Sequence, residues 1–451
     1  MTPPSNSGRR AVPFTERRYL VPFILITSLF FLWAFGVNLN DILIPHLKAA
    51  FRLSDFQSSF IQVAFFGGYF LAAFPAGRVM ERIGYKKGIL AGLMICATGA
   101  VLFVPASAVS AYGFFLFALF VMACGQSFLE VAANPYVTIL GPPETSELRL
   151  NFAQAFNSVG SVLAPLLGGW LILTTNEYSP QQSSTMNAAQ LESYRAAQAA
   201  TVRLPYLLIA GFFLAVAVAI YLTHLPDVSE TKAAGDANSA SGGLRGLLAH
   251  KHLMKGVFAQ FFYVGAQVGV ASFVIRFTQH AAPGTTAKLA ARFLFLHQLG
   301  FMLGRFAGSG MMKLIAAARL LALFSVACLI CCCVALLGKG FVPVGAVILL
   351  GFFHSIQFPT IFALSIKNLG AYTKRGSSLL VMAIIGGGIF PAIMGRISDA
   401  SNIQTAFIVP LICYAYVLYF AAAGYKPACR SSGRPAAVAP SGASAAGSEA
   451  S

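Results

Sequence analysis

About twelve stretches of mainly apolar residues, each long enough to cross a bilayer as a helix, follow one another along this chain and limit its fold more than any other feature. By hydropathy they fall near 20–47, 55–80, 88–106, 111–140, 149–173, 203–224, 255–279, 286–312, 317–338, 341–366, 376–398 and 403–424. A hydrocarbon core of about 30 Å takes about 20 residues of helix, and the backbone there must satisfy its own hydrogen bonds. Only 10% of residues are charged against 57% hydrophobic, and mean hydropathy is +0.74, which excludes a soluble globular protein of this length. Uninterrupted apolar runs, rather than short alternating segments, exclude a membrane β-barrel. The expected fold class is an all-α membrane protein with twelve transmembrane helices.

A net charge of +17 would suit nucleic acid, but the basic residues sort by side of the membrane instead. Arg9, Arg10, Arg17, Arg18, Arg78, Arg82, Lys86, Lys87, Lys367, Lys374, Arg375 and ten others, 21 of the 31 basic residues, fall in segments that share one side if the N-terminus is cytoplasmic. The positive-inside rule then predicts both termini in the cytoplasm and no nucleic-acid partner. The first twenty residues are polar and basic before a full-length apolar run, so the first helix is expected to be retained rather than cleaved as a leader. The eight cysteines, three of them adjacent at Cys331 to Cys333, have neither disulfide-framework nor zinc-ligand spacing and read as packing residues. No metal or other cofactor is expected.

One long polar interruption, 225–254, separates six hydrophobic segments from six more and reads as a cytoplasmic linker. The expected organisation is a cytoplasmic segment (1–19), a first six-helix bundle (20–224), the linker, a second bundle (255–425) and a cytoplasmic tail (426–451) too rich in Ala, Ser, Gly and Pro to bury a core. An internal repeat supports the division. Gly160, Pro165 and Gly169 recur as Gly386, Pro391 and Gly395, and Pro135 recurs as Pro359 at nearly the same offset. Two related bundles with a binding site between them describe a transporter.

Asp41 and Glu130 are the acids placed deep inside the apolar stretches. A charged side chain at the centre of a bilayer helix costs roughly 2.5–3.5 kcal/mol even on lenient scales, so such a group is expected to face a cavity or handle a proton. Burial disfavours the charged form of a carboxyl and entering water restores it, so a carboxyl alternately sealed and wetted can couple protonation to conformation. Both are candidate proton-coupling residues.

Other polar residues recur at helical spacing, which puts them on one face of each helix: Asn38 with Asp41, Glu130 with Asn134, Asn151 with Gln154, Asn157 and Ser158, Gln260 with Tyr263 and Gln267, and His354 with Gln357 and Thr360. Amides offer donors and acceptors together, and aromatic rings cover apolar C–H faces, which suits a neutral polyhydroxylated solute. The candidate substrate-binding residues are Asn38, Glu130, Gln154, Asn157, Tyr263, Gln267 and Gln357, with Trp33 or Tyr263 as stacking rings. The competing reading is that these amides bond between helices as packing glue. Arg305 either lines the cavity or snorkels toward the inner surface, and the second is the expectation.

The run Gly77-Arg78-Val79-Met80-Glu81-Arg82-Ile83-Gly84-Tyr85-Lys86-Lys87 resembles the cytoplasmic loop signature of the major facilitator superfamily, with Glu81 where Asp is usual. The positions that carry the match are Gly77, Glu81, Arg82, Gly84, Lys86 and Lys87. An acid there can join an interlock that holds the two halves in one conformation. The corresponding loop around Gly308 and Lys313 is degenerate. Phe30-Phe31-Leu32-Trp33, Asn38-Leu39-Asn40-Asp41, Glu130-Val131-Ala132-Ala133-Asn134-Pro135, Arg149 through Ser158, Tyr263 through Gln267, Gln357 through Phe362 and Ile366 through Gly370 resemble the fucose permease branch of that superfamily, over nearly the whole chain.

The resemblance implies two six-helix bundles, a multi-pass bacterial inner-membrane location in contact with lipid, a monomer, and symport of a sugar with a proton. It implies proton coupling by Asp41 and Glu130, and a sugar pocket that includes Asn38, Gln154, Asn157 and Gln357. L-fucose is the first candidate; glucose or galactose, with sodium as an alternative coupling ion, is the second. Arg292, Phe293, His297 and Gln298 in the eighth stretch match the fucose-specific members poorly, so specificity would differ if that face lines the cavity. An enzyme is not expected, because nucleophile–base and metal motifs are lacking. A membrane sugar sensor without transport is the reading from another class, and the short, biased tail offers no output domain for it.

Overall fold

The computed structural model describes residues 12–38, 51, 55–172, 187–225 and 243–426. Helix α1 covers Leu20–Asn38. One helical run, Asp55–Val109, contains a break at Gly84, where φ is 79°, a backbone conformation that favours glycine. The break divides it into α2 (55–83) and α3 (85–109). There follow α4 (Tyr112–Ile139), α5 (Ser146–Ile172) and α6 (Arg203–Leu222). The second series is α7 (Lys251–Ala281), α8 (Ala287–Met311), α9 (Ala317–Leu337), α10 in two pieces (Phe341–His354 and Gln357–Ile366), α11 in two pieces (Thr373–Met382 and Gly386–Ala400) and α12 (Ile408–Tyr419).

These are the twelve hydropathy segments, with local differences. Helix α7 begins at Lys251, so the last residues of the 225–254 interruption belong to it, and a short helix, Gly243–Leu248, precedes it. A helix at Ala188–Thr201 lies between α5 and α6, started by a reciprocal cap between Asn187 and Gln190. Asp41, the rest of the first stretch to 47, residues 226–242 of the linker and the tail from 427 lie outside the described residues.

Among the described residues, nine helices are long and apolar enough to cross a membrane by composition, the α2–α3 run counting as one. Helices α5 and α8 pack against each other between the bundles, and there α5 carries Asn151, Gln154 and Asn157 and α8 carries His297, Gln298 and Arg305.

The internal repeat is physical. In the first bundle α1 packs on α5, and a β-carbon at Gly160 would stand 2.5 Å from the backbone oxygen of Phe31. In the second, α7 packs on α11, and a β-carbon at Gly386 would stand 2.2 Å from the backbone oxygen of Phe261. The matching glycines thus permit the matching helix crossing in each half. A 3-10 turn also precedes both α5 (Pro143–Thr145) and α11 (Gly370–Tyr372).

Candidate functional site

Contacts between the bundles concentrate at the end that carries the α2–α3 turn. Glu81 forms an ion pair with Arg375 at the start of α11, 2.6 Å apart. Gly77 lies so close to α11 that a β-carbon there would collide with the Ser378 side chain, and Lys374 stands over the Tyr85 ring at 5.1 Å. Lys86 donates to the carbonyls of Tyr221 and Thr223, which end α6, at 2.9 Å each. The exposed Arg82 and Lys87 take no part in these bonds. Glu147, two residues ahead of the apolar stretch 149–173, is buried in the first turn of α5, where it pairs with Lys367 at the end of α10, 2.7 Å away. Asn151 donates to Thr360 at 3.1 Å. Behind this layer Arg149, wholly buried, donates to the carbonyls of Val137, Thr138 and Phe14 and to the Thr145 hydroxyl, which fixes the α4–α5 connection.

Beyond the bolted end a cavity of about 630 Å³ lies between the halves, a size suited to a small ligand. Its lining includes Asn38, Ile61, Val162, Ile275 and Ala291, all toward the helix ends remote from the α2–α3 turn. The cavity is therefore closed at the turn end and extends toward the opposite one.

Glu130 lines this cavity from the first bundle with 7% of its surface exposed. The Tyr69 hydroxyl lies 3.5 Å from its Oε1, and Oε2 has no hydrogen-bond partner among the described residues. A buried carboxylate oxygen left in this way costs on the order of 1–3 kcal/mol or more, which a proton or a ligand hydroxyl would relieve.

Arg305 does not snorkel. It is 3% exposed in the cavity wall, where Nε donates to the Ser355 carbonyl at 3.0 Å and one terminal nitrogen reaches the Gln154 carbonyl, the Gln154 side chain and the Asn157 side chain at 2.5, 3.2 and 3.3 Å. Its guanidinium also lies over the Phe301 ring at 4.4 Å. The snorkelling expectation fails because two of the residues that hold this cation, Gln154 and Asn157, belong to a distant part of the chain, in the other bundle.

Asn38, Gln154, Asn157 and Gln267 all line the cavity, as does Trp33, which packs on Phe30. Several are already partly engaged. Asn38 donates to the Ala34 carbonyl and to Ser161, Gln154 donates to Asn134, and Asn157 donates to the Phe30 carbonyl. Tyr263 and Gln357 do not reach the lining. They are fully buried, with Tyr263 packed against His354 and Phe358, and the Gln357 amide against Cys328. The Gln357 Oε1 remains without a partner among the described residues. Residues that sequence reasoning passed over include Gln62 and Tyr69, seven apart on α2, and Ser161 on α5. The seven-residue spacing of the first two was readable as one helix face.

The profile of the Major Facilitator Superfamily matches residues 26–384. The L-fucose-proton symporter of Escherichia coli (strain K12) is 43% identical over 409 residues, covering 90% of this chain and 93% of that protein. The glucose/galactose transporter of Brucella abortus biovar 1 (strain 9-941) is 41% identical over 425 residues, covering 94% and 98%. The crystal structure of the superfamily transporter FucP in the outward conformation superposes with a TM-score of 0.83 at 43% identity, covering 90% of this chain and 99% of that one. Two bundles around a shared cavity, a family match over most of the length and these relatives lead to one conclusion: this multi-pass membrane protein belongs to the Major Facilitator Superfamily, a family of transporters and not of enzymes, in the branch that holds the fucose and the glucose/galactose transporters.

Proposed function

We propose that the protein is a proton-coupled sugar symporter that imports a monosaccharide by alternating access, with L-fucose as the first substrate to test. The observation that carries this reading is Glu130: a nearly buried carboxylate with a free oxygen, on the wall of a cavity that both bundles share. With both termini in the cytoplasm of a bacterial cell, the bolted end faces inward and the cavity faces the outside. Sugar and proton enter the open side; Glu130 takes the proton; the bolts at Glu81–Arg375 and Glu147–Lys367 then break as the cavity closes above and opens below. Asp41, outside the described residues, is the second titrating site in this reading. A proton crossing 100 mV supplies about 2.3 kcal/mol, enough to concentrate a neutral sugar roughly fifty-fold.

A second substrate reading, glucose or galactose, is favoured by the nearly equal identity to the Brucella transporter. The test is uptake of labelled L-fucose, D-galactose and D-glucose into proteoliposomes with and without an imposed pH gradient. L-fucose accumulation driven by the gradient, with external alkalinisation and no sodium requirement, supports the proposal. Gradient-independent or sodium-dependent uptake overturns the proton coupling.

A further inference from the structure

Part of the hydrogen-bonding capacity left free in the cavity lies outside the polar stripes of the sequence. On the first-bundle wall the amide nitrogens of Asn38, Gln154 and Asn157 each already donate to a protein acceptor, and Arg305 covers acceptors of the latter two. On the second-bundle wall α8 presents His297 and Gln298 side by side in the sequence, both lining the cavity. Gln298 is half-buried and makes no hydrogen bond to another described residue.

His297 is 1% exposed, and its Nδ1 lies 2.8 Å from the Val347 carbonyl oxygen on α10. A carbonyl oxygen only accepts, so Nδ1 carries the hydrogen and the neutral ring keeps its lone pair on Nε2. The ring is also held in place. At Gly351 a β-carbon would stand 2.1 Å from the His297 carbonyl oxygen and 3.1 Å from its Nδ1, so α8 and α10 cross at contact distance there. His354 backs it edge-on at 5.2 Å between ring centres and is itself tied to the Tyr414 hydroxyl at 2.9 Å. A fixed ring with a defined acceptor, next to an unengaged amide, is a pre-organised recognition element rather than a packing pair.

We propose that His297 and Gln298 form a sugar-selecting pair, in which Nε2 of His297 accepts from one hydroxyl of the monosaccharide and the Gln298 amide holds a neighbouring one. The inference rests on the sugar-transport reading and deepens it. These residues lie in the eighth stretch, in the other bundle from the proton-coupling Glu130, so in this reading they select which sugar is carried rather than whether one is. Arg292, in the same stretch, is exposed and lies off the cavity.

The test is displacement of labelled L-fucose, D-galactose or D-glucose, whichever the wild type binds, by the series of its singly deoxygenated analogues, on detergent-purified full-length protein. The wild type is expected to bind the analogue lacking the His297-contacted hydroxyl at least tenfold more weakly than the parent. His297→Phe keeps the ring and loses the acceptor, so it should bind that analogue and the parent equally, with His297→Gln restoring part of the ratio. Gln298→Leu should lose discrimination at an adjacent carbon, and it disturbs no hydrogen bond among the described residues, so it carries the test if His297→Phe does not fold. Ratios unchanged from wild type at every position overturn the pair. If the wild type binds none of the three sugars, the sugar reading fails and the pair with it.

Discussion

Arg305 on α8 reaches across the two bundles to Gln154 on α5, donating to its backbone oxygen at 2.5 Å and to its side-chain oxygen at 3.2 Å. This buried cation couples the cavity floor to the relative position of the halves, because its fork is divided between Ser355 in its own bundle and Gln154 and Asn157 in the other. Replacing it by Lys keeps the charge but not the fork, and a single ammonium cannot reproduce this set of donors. Arg305→Lys is expected to reduce sugar counterflow at least tenfold with little loss of folded protein. Wild-type counterflow would refute its role.

The two ion pairs at the closed end should differ in weight because they differ in burial. Glu81 and Arg375 have side chains 25% and 30% exposed, whereas Glu147 is only 8% exposed beside Lys367. A partly exposed pair contributes about 0.2–1 kcal/mol, while removing the partner of a buried charge costs more. Lys367→Ala should therefore shift the conformational balance toward opening at this end more than Arg375→Ala does. Spin-label distances between the turn-end tips of the bundles would read the shift, and equal effects would contradict the assignment.

The helix crossings at the repeated glycines make a stability prediction. Gly160→Ala and Gly386→Ala each place a carbon against backbone oxygen, which cannot rotate away, and should cost about 1–3 kcal/mol, as overpacking does. Gly211, with nothing within 4 Å of a β-carbon, provides the control. Thermal unfolding in detergent should fall for the first two variants and stay near wild type for Gly211→Ala.

How much of this was legible in the sequence follows from what helical periodicity measures. Hydropathy gave the helices, and three- and four-residue spacing gave the correct face for Asn38, Glu130, Gln154, Asn157 and Gln267, all on the cavity wall. Spacing gives a face but not a depth. Tyr263 shares a face with Gln267 one turn away, yet it lies sealed below the cavity, as does Gln357, because closure at one end of the bundles is a tertiary property. Arg305 was misplaced for a related reason: its partners sit about 150 residues away in the other bundle. Glu147 stood just outside the stretch 149–173, and its cation, Lys367, is 220 residues away. The Ala188–Thr201 helix escaped notice for want of an apolar face, although its Asn187–Gln190 cap was readable.

The central claim is that Glu130 binds the coupling proton, and uphill uptake by Glu130→Gln in proteoliposomes tests it most directly. The substituted amide mimics the protonated acid, so sugar should still exchange across the membrane while the imposed pH gradient no longer drives accumulation. Accumulation at the wild-type level in that variant, with the same external alkalinisation, would contradict the account.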